Sequence, residues 1–177
     1  MIAVALLHAT AAEDPDLVGR LTNLINVVYE AAEDGLWLGG GQRTTPPEVA
    51  ERVAAGEIAI ATLGAELAGT IRIHEVAAGT GEFGMLAADP AHRGIGIGRA
   101  LIGFAEDLCR DRGLRSMQCE LLVPRIGTHP SKVALDAWYR RLGYAVTRRS
   151  PAAEAHPELV ALLAVPCDFL VYTKPLR

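Results

Sequence analysis

Along this chain of 177 residues the apolar positions recur with two periods, and the switches between them outline the elements. Residues 2–8 are apolar and rich in β-formers, which predicts a first strand. Leu17, Leu21, Leu24, Ile25 and Val28 then fall on one helical stripe. Asp14-Pro15-Asp16 opens that helix with an N-cap, a first-turn proline and an acid at the positive end of the dipole, and Gly35 can close it. Thr45-Pro46-Pro47-Glu48 starts a second, short helix ending near Gly56. Residues 57–63 and 66–76 read as strands joined in a hairpin at Gly64-Ala65, and 82–88 as a third strand after the turn at 79–81. In the clearest helix Leu101, Ile102, Ala105, Leu108 and Cys109 share a face, and Gly113 stands where a helix-ending glycine belongs. A strand over 116–123 follows. Ser131 then caps a helix carrying Leu135, Trp138, Tyr139 and Leu142, closed by Gly143. A strand over 144–149, a short helix over 156–164 and a last strand over 167–173 complete the chain. No repeat or linker interrupts this order, which implies one mixed α/β sheet layered with helices, a single domain over 1–177.

Composition narrows the class. Half of the residues are hydrophobic, as in ordinary globular proteins. No apolar run reaches the roughly 18 residues of a membrane span. Residues 1–10 lack a basic leader and run into an acidic helix start, so they read as a strand and not a signal peptide, and no membrane role is expected. Cys109, Cys119 and Cys167 are widely spaced and odd in number, which fits free thiols in a reducing cytoplasm. His8, His74, His92, His129 and His156 show no ligand spacing, so no metal is expected. The net charge of −4 argues against general nucleic-acid affinity. Its distribution is uneven: residues 1–90 carry −9 and residues 91–177 carry +5. That asymmetry fits a polyanion handled by the second half, and fits solvated helix faces equally well.

The stretch with the most chemistry runs from Met85 to Leu101. A strand ends at Ala88, a turn follows at Asp89-Pro90, and a glycine-rich loop leads straight into a helix. Glycines let a backbone approach an anion with its N–H groups turned inward. The helix start adds unpaired N–H groups and partial positive charge. Arg93 and Arg99 add full charges, so this segment should bind a phosphate or pyrophosphate. The Walker pattern is absent, and glycines at 94, 96 and 98 miss the dinucleotide spacing G-x-G-x-x-G.

The spacing that is present, Arg93-x-x-Gly96-x-Gly98, resembles the R/Q-x-x-G-x-G/A motif of the GCN5-related N-acetyltransferase (GNAT) superfamily. Ala137-Trp138-Tyr139-Arg140-Arg141-Leu142-Gly143-Tyr144 is similar to that family's later helix. Residues 120–125, His129-Pro130-Ser131-Lys132 and the tail 167–176 also resemble members. The likeness covers about 57–175, an acetyl-CoA-binding core, and leaves 1–56 as a variable acceptor-side segment.

The resemblance implies a mixed, mostly antiparallel sheet of six or seven strands with helices on both faces. It implies acetyl-CoA as co-substrate, no metal, and direct transfer to an amine. Leu86, Ala87 and Ala88 would offer backbone groups to the pantetheine arm. Arg93, Gly94, Ile95, Gly96, Ile97, Gly98 and Arg99 would hold the pyrophosphate, mainly through main-chain N–H. Many relatives have Asn seven residues before the tyrosine; Lys132 stands there in this chain and would reach a phosphate. Homodimers are common in the family, so a homodimer is possible for this chain.

The reaction needs a base, because an alkyl amine with a pKa of about 10.4 is protonated at neutral pH, and an acid for the leaving thiolate. The resemblance points to Tyr139 as the acid, although its helix stripe also fits a core aromatic. It points to Glu82 as the base, although a solvated strand-end acid fits too. Strict alternation would put Glu82, Gly84 and Leu86 on one face. A backbone N–H of 86–88 is the expected oxyanion donor, and neither Cys109 nor Cys119 reads as a nucleophile. The acidic first half favours a small cationic amine as acceptor, and a peptide amine remains open. Glu30, Glu33 and Asp34 could contribute charge, and residues 36–45, with Trp37 and Gly39-Gly40-Gly41, could form a mobile lid. Two rivals remain at this level: a non-catalytic acyl-CoA sensor of the same fold, and a nucleotide-binding module.

Overall fold

A computed structural model describes residues 1–40 and 42–177; Gly41, the third glycine of the expected lid, lies outside the described residues. Strands β1 (Ile2–Leu6), β2 (Ile58–Leu63), β3 (Glu66–Ala77), β4 (Thr80–Ala88), β5 (Ser116–Pro124), β6 (Ala145–Pro151) and β7 (Cys167–Pro175) form one sheet in the order β1-β2-β3-β4-β5-β7-β6. Every neighbouring pair is antiparallel except β4 and β5. The helices are α1 (Pro15–Ala32), α2 (Pro46–Ala54), α3 (Ile97–Asp111), α4 (Pro130–Arg141) and the single turn α5 (Ala152–Ala155). β1 is hydrogen-bonded to β2, so the first residues belong to the same sheet as the rest. No helix of the described residues is long and apolar enough to cross a membrane.

Local chemistry explains the starts and stops. The Asp14 carboxylate accepts the N–H groups of Asp16 and Leu17 at 3.0 Å each, capping α1 ahead of Pro15. Thr45 and Glu48 exchange reciprocal bonds in a capping box at α2. Gly113 and Gly143, both in the left-handed region, follow the ends of α3 and α4. Ser131 differs from expectation. The N-cap of α4 is His129, with Pro130 in the first turn, and the Ser131 hydroxyl instead donates to the Ala32 carbonyl of α1. The short helix expected over 156–164 is a 3-10 segment, Pro157–Leu162.

Helices cover both faces. Ile97, Leu101, Ile102 and Ala105 of α3 pack with Ile71, Ile73 and Phe83 on one side. Leu21 and Ile25 of α1 and Val49 and Val53 of α2 pack with Ile58 and Ala87 on the other. Two irregularities in β4 shape what lies between. Thr70 pairs with Ala87 but Arg72 with Gly84, so β4 carries an extra residue, and Met85 there has φ 47°. This bulge reverses the alternation. Leu86 joins Phe83 on the α3 side, while Met85 and Ala87 turn toward α1. The expected common face of Glu82, Gly84 and Leu86 is therefore broken at Met85. Second, β4 and β5 pair only from Thr80↔Ser116 to Glu82↔Gln118 and then separate. Residues 83–88 are left with one strand neighbour, β3, and an open edge toward the gap.

Candidate active site

The gap between β4 and β5 leads to a cavity of about 360 Å³, within the usual range for small-molecule sites. Its walls come from α1, Arg43 in the segment after it, β3, β4, β5, α4, the segment around His156 and β7. Glu82, Leu86 and Tyr139 all line it, and so does Lys132. Of the remaining sequence candidates, Ala87 and Ala88 end β4, Arg93 to Gly96 form the loop beyond it, and Ile97, Gly98 and Arg99 open α3.

That loop leaves its backbone amides unpaired. Gly94 and Gly96 have φ 85° and 97°, a region that side-chain-bearing residues avoid. Gly96 caps α3 without any side-chain bond. Among the described residues no backbone acceptor outside α3 takes the N–H groups of Gly94 to Arg99. Arg93 and Arg99 are exposed, and Ile97 is buried, so Ile97 offers its amide and not its side chain. Two further glycines seat this loop. A Cβ on Gly69 of β3 would fall 2.7 Å from Ile97, and one on Gly98 would fall 3.1 Å from the Trp138 ring. Their missing side chains let α3 approach the sheet and α4 approach α3. Gly69 was not among the sequence candidates, because its role depends on a partner 28 positions away.

Tyr139 stands in a cluster of rings with Phe83, Trp138, Tyr144 and Tyr172 at centroid distances of 5.3–6.3 Å. Both readings of this residue meet here: the ring is core, 6% exposed, and the residue also lines the cavity. Burial, with smaller contributions from Cys119, Tyr29 and Tyr172, raises its pKa well above that of a free tyrosine, so it stays protonated. Glu82 accepts a 2.7 Å bond from Gln118 on β5, and its carboxylate lies 3.7 Å from the His74 ring. Burial first, and then Glu120, raise the Glu82 pKa above the ordinary glutamate value. Desolvation raises the Cys119 pKa as well, which agrees with an inert core thiol.

Lys132 is not free to reach a phosphate. It is 4% exposed and donates to Glu33 at 2.7 Å, while Trp37 donates to the other Glu33 oxygen at 2.6 Å. With Ser131 on Ala32 and His129 on the Asp34 carbonyl, the start of α4 clamps the end of α1. The same pair removes Glu33 from any role in attracting an acceptor. The cavity instead takes its acidity from Glu82 and Glu120, the latter 2.7 Å from His156.

The segment expected as a lid is pinned at both ends. Leu36 is buried, Trp37 bridges to Leu163, and the Asn26 side chain holds Arg43 and Thr44. Tyr29, also missed by sequence, lines the cavity from α1. Outside the cavity, His92, Glu66 and Asp89 bring one donor atom each within 4.8 Å, a grouping that no sequence spacing reveals.

Comparison with known proteins agrees with this architecture. The model of the acetyltransferase (GNAT) family matches residues 21–144. No curated protein matches the chain. Among solved structures, yncA of Salmonella typhimurium, solved with its cofactor acetyl-CoA, is 15% identical and superposes with a TM-score of 0.64 over 100% of this chain and 95% of its own. The ribosomal-protein-S18-alanine N-acetyltransferase of Escherichia coli is 14% identical, with a TM-score of 0.59 over 99% and 94%. An IAA acetyltransferase of Bacillus cereus is 14% identical, with a TM-score of 0.65 over 99% and 100%. At these identities the likeness establishes the fold.

Proposed function

The chain belongs to the acetyltransferase (GNAT) family, and from that premise we propose that it transfers an acetyl group from acetyl-CoA directly to the primary amine of a small acceptor. One observation carries this reading. The open edge of β4 runs from a loop of unpaired amides to a cavity lined by a half-buried carboxylate, Glu82, and a buried tyrosine, Tyr139.

Gly94 to Arg99 would hold the pyrophosphate, and the free edge of residues 86–88 would pair with the amides of the pantetheine arm. The thioester would then lie beside Tyr139. Glu82 would take a proton from the ammonium of the acceptor, and the freed amine would attack the thioester carbonyl. A main-chain N–H of β4 beyond the bulge would hold the oxyanion. As the carbon–sulfur bond breaks, Tyr139 would give its proton to the departing thiolate and be reprotonated at the expense of the acylated nitrogen, which sheds its extra proton to become the neutral amide. A phenol with a raised pKa is protonated when needed, and a glutamate with a raised pKa is a better base near neutrality. The enclosed cavity and its two carboxylates favour a small cationic amine over a protein surface.

The test is thiol release from acetyl-CoA across a panel of amines, beside a thermal-shift comparison of acetyl-CoA, ATP and NAD. Amine-dependent release and stabilisation by acetyl-CoA alone are expected. Stabilisation without release from any amine would make the chain a sensor, and stabilisation by a nucleotide instead would discard the reading. Within the same assay, the acid limb of kcat/KM should lie above the ordinary glutamate pKa, because Glu82 must be ionised to act. Glu82→Gln should lower kcat/KM by about 10²-fold and erase that limb. An unchanged profile would place the base elsewhere.

A further inference from the structure

We infer that the acceptor carries an anionic group in addition to its amine, and that Arg43 receives it; this rests on the amine-acetylating reading above. The cavity has cations as well as acids in its wall: Arg43, Arg72 and Lys132. Lys132 is paired with Glu33 and Arg72 with Glu57, each at 2.7 Å. Arg43 has no carboxylate partner among the described residues. It stacks on Tyr29, with its guanidinium carbon 5.1 Å from the ring centroid. Stacking on a ring face leaves the planar N–H fork open to a carboxylate.

The position is fixed. The Arg43 amide donates to Asn26 at 2.9 Å and the Thr44 amide to the same oxygen at 3.0 Å. The supporting ring belongs to Tyr29, which lines the cavity together with Leu86, where the transferred carbonyl is expected. The acidic part of the wall lies lower on the same strand. Glu82 is four positions before Leu86, and Glu120 stands beyond it on β5. The cavity is thus bipolar, with Glu82 near the start of β4 and Glu120, beside His156, in the middle of β5, and with a guanidinium that no carboxylate compensates on the α1 side. A ligand that satisfies both is an amino acid, its amine toward Glu82 and Glu120 and its carboxylate on the Arg43 fork. The diphosphate of the coenzyme is not needed to explain Arg43, since the glycine loop already offers its own amides and two arginines.

Thiol release should be measured with α- and ω-amino acids of several lengths, each beside its carboxamide, on the wild type and on Arg43→Gln. Arg43 is exposed, so the variant should fold; circular dichroism checks this. At least one free acid should exceed its carboxamide tenfold or more in kcat/KM, and Arg43→Gln should collapse that preference through KM. Equal use of acid and amide, a preference that survives Arg43→Gln, or weaker acetyl-CoA binding by the variant would each overturn the inference while leaving amine acetylation intact. Absence of release with every amine would overturn the enzymatic reading, and the inference with it.

Discussion

The glycine loop and the cavity use opposite means. The segment over residues 93–99 is exposed over Arg93 to Gly96, continuous in sequence, and presents backbone N–H groups that its own chain leaves unpaired. The cavity is enclosed, drawn from parts of the chain as far apart as Val28 and Phe169, and its candidate groups are side chains whose pKa values burial has displaced. Binding a diphosphate needs only an array of dipoles, which a short peptide can supply. Moving protons needs groups held in low dielectric at matched distances, which only packing can supply. The link between the two regions is the contact of Trp138 with Gly98, which sets the helix bearing Tyr139 against the helix that ends the loop.

The largest separation of the two should come from Lys132→Met. It strands Glu33 inside the protein, and breaking a buried pair costs about 3–5 kcal/mol. A thermal melt should show a fall of roughly 6–20 °C, given about 2–4 °C per kcal/mol for a chain of this size. Glu33→Gln added to Lys132→Met should recover part of it. A melt unchanged by the single substitution would mean the clamp between α1 and α4 is not what holds the cavity wall. Tyr139→Phe should cut kcat by about 10²-fold while the Kd of acetyl-CoA stays put, because the ring remains and only the proton is lost. Turnover equal to wild type would return Tyr139 to the core alone. Gly96→Val should do the reverse. A branched side chain at φ 97° is strained, and displacing the amides should weaken acetyl-CoA binding about tenfold, with kcat at saturation nearly preserved. Isothermal titration and steady-state kinetics on the two variants would show whether binding and chemistry separate in this way.

The order of elements was legible because it is local. Caps, prolines, closing glycines and apolar periods are properties of a few adjacent residues, and Asp14, the Thr45–Glu48 box and Gly113 act as their spacing implied. The amide loop was legible for the same reason. Where the readings departed, a distant partner had intervened. Ser131 does not cap its own helix because a carbonyl of α1 lies within reach. Leu86 changes face because β4 holds one residue more than β3 opposite it. Lys132 turns from phosphate to Glu33 because the end of α1 buries both.

What the amino-acid order determined alone was therefore the succession of strands and helices and a turn with unsatisfied amides, since hydrogen bonding and backbone sterics at those points involve neighbours only. What the tertiary structure decided was which charges are paired and which are not: Glu33 pairs with Lys132 and Glu120 with His156, whereas Arg43 faces the cavity with no carboxylate partner among the described residues. Charge cancellation depends on distances of a few ångströms between residues as far apart as 99 positions, and no pattern along the chain encodes a distance across it.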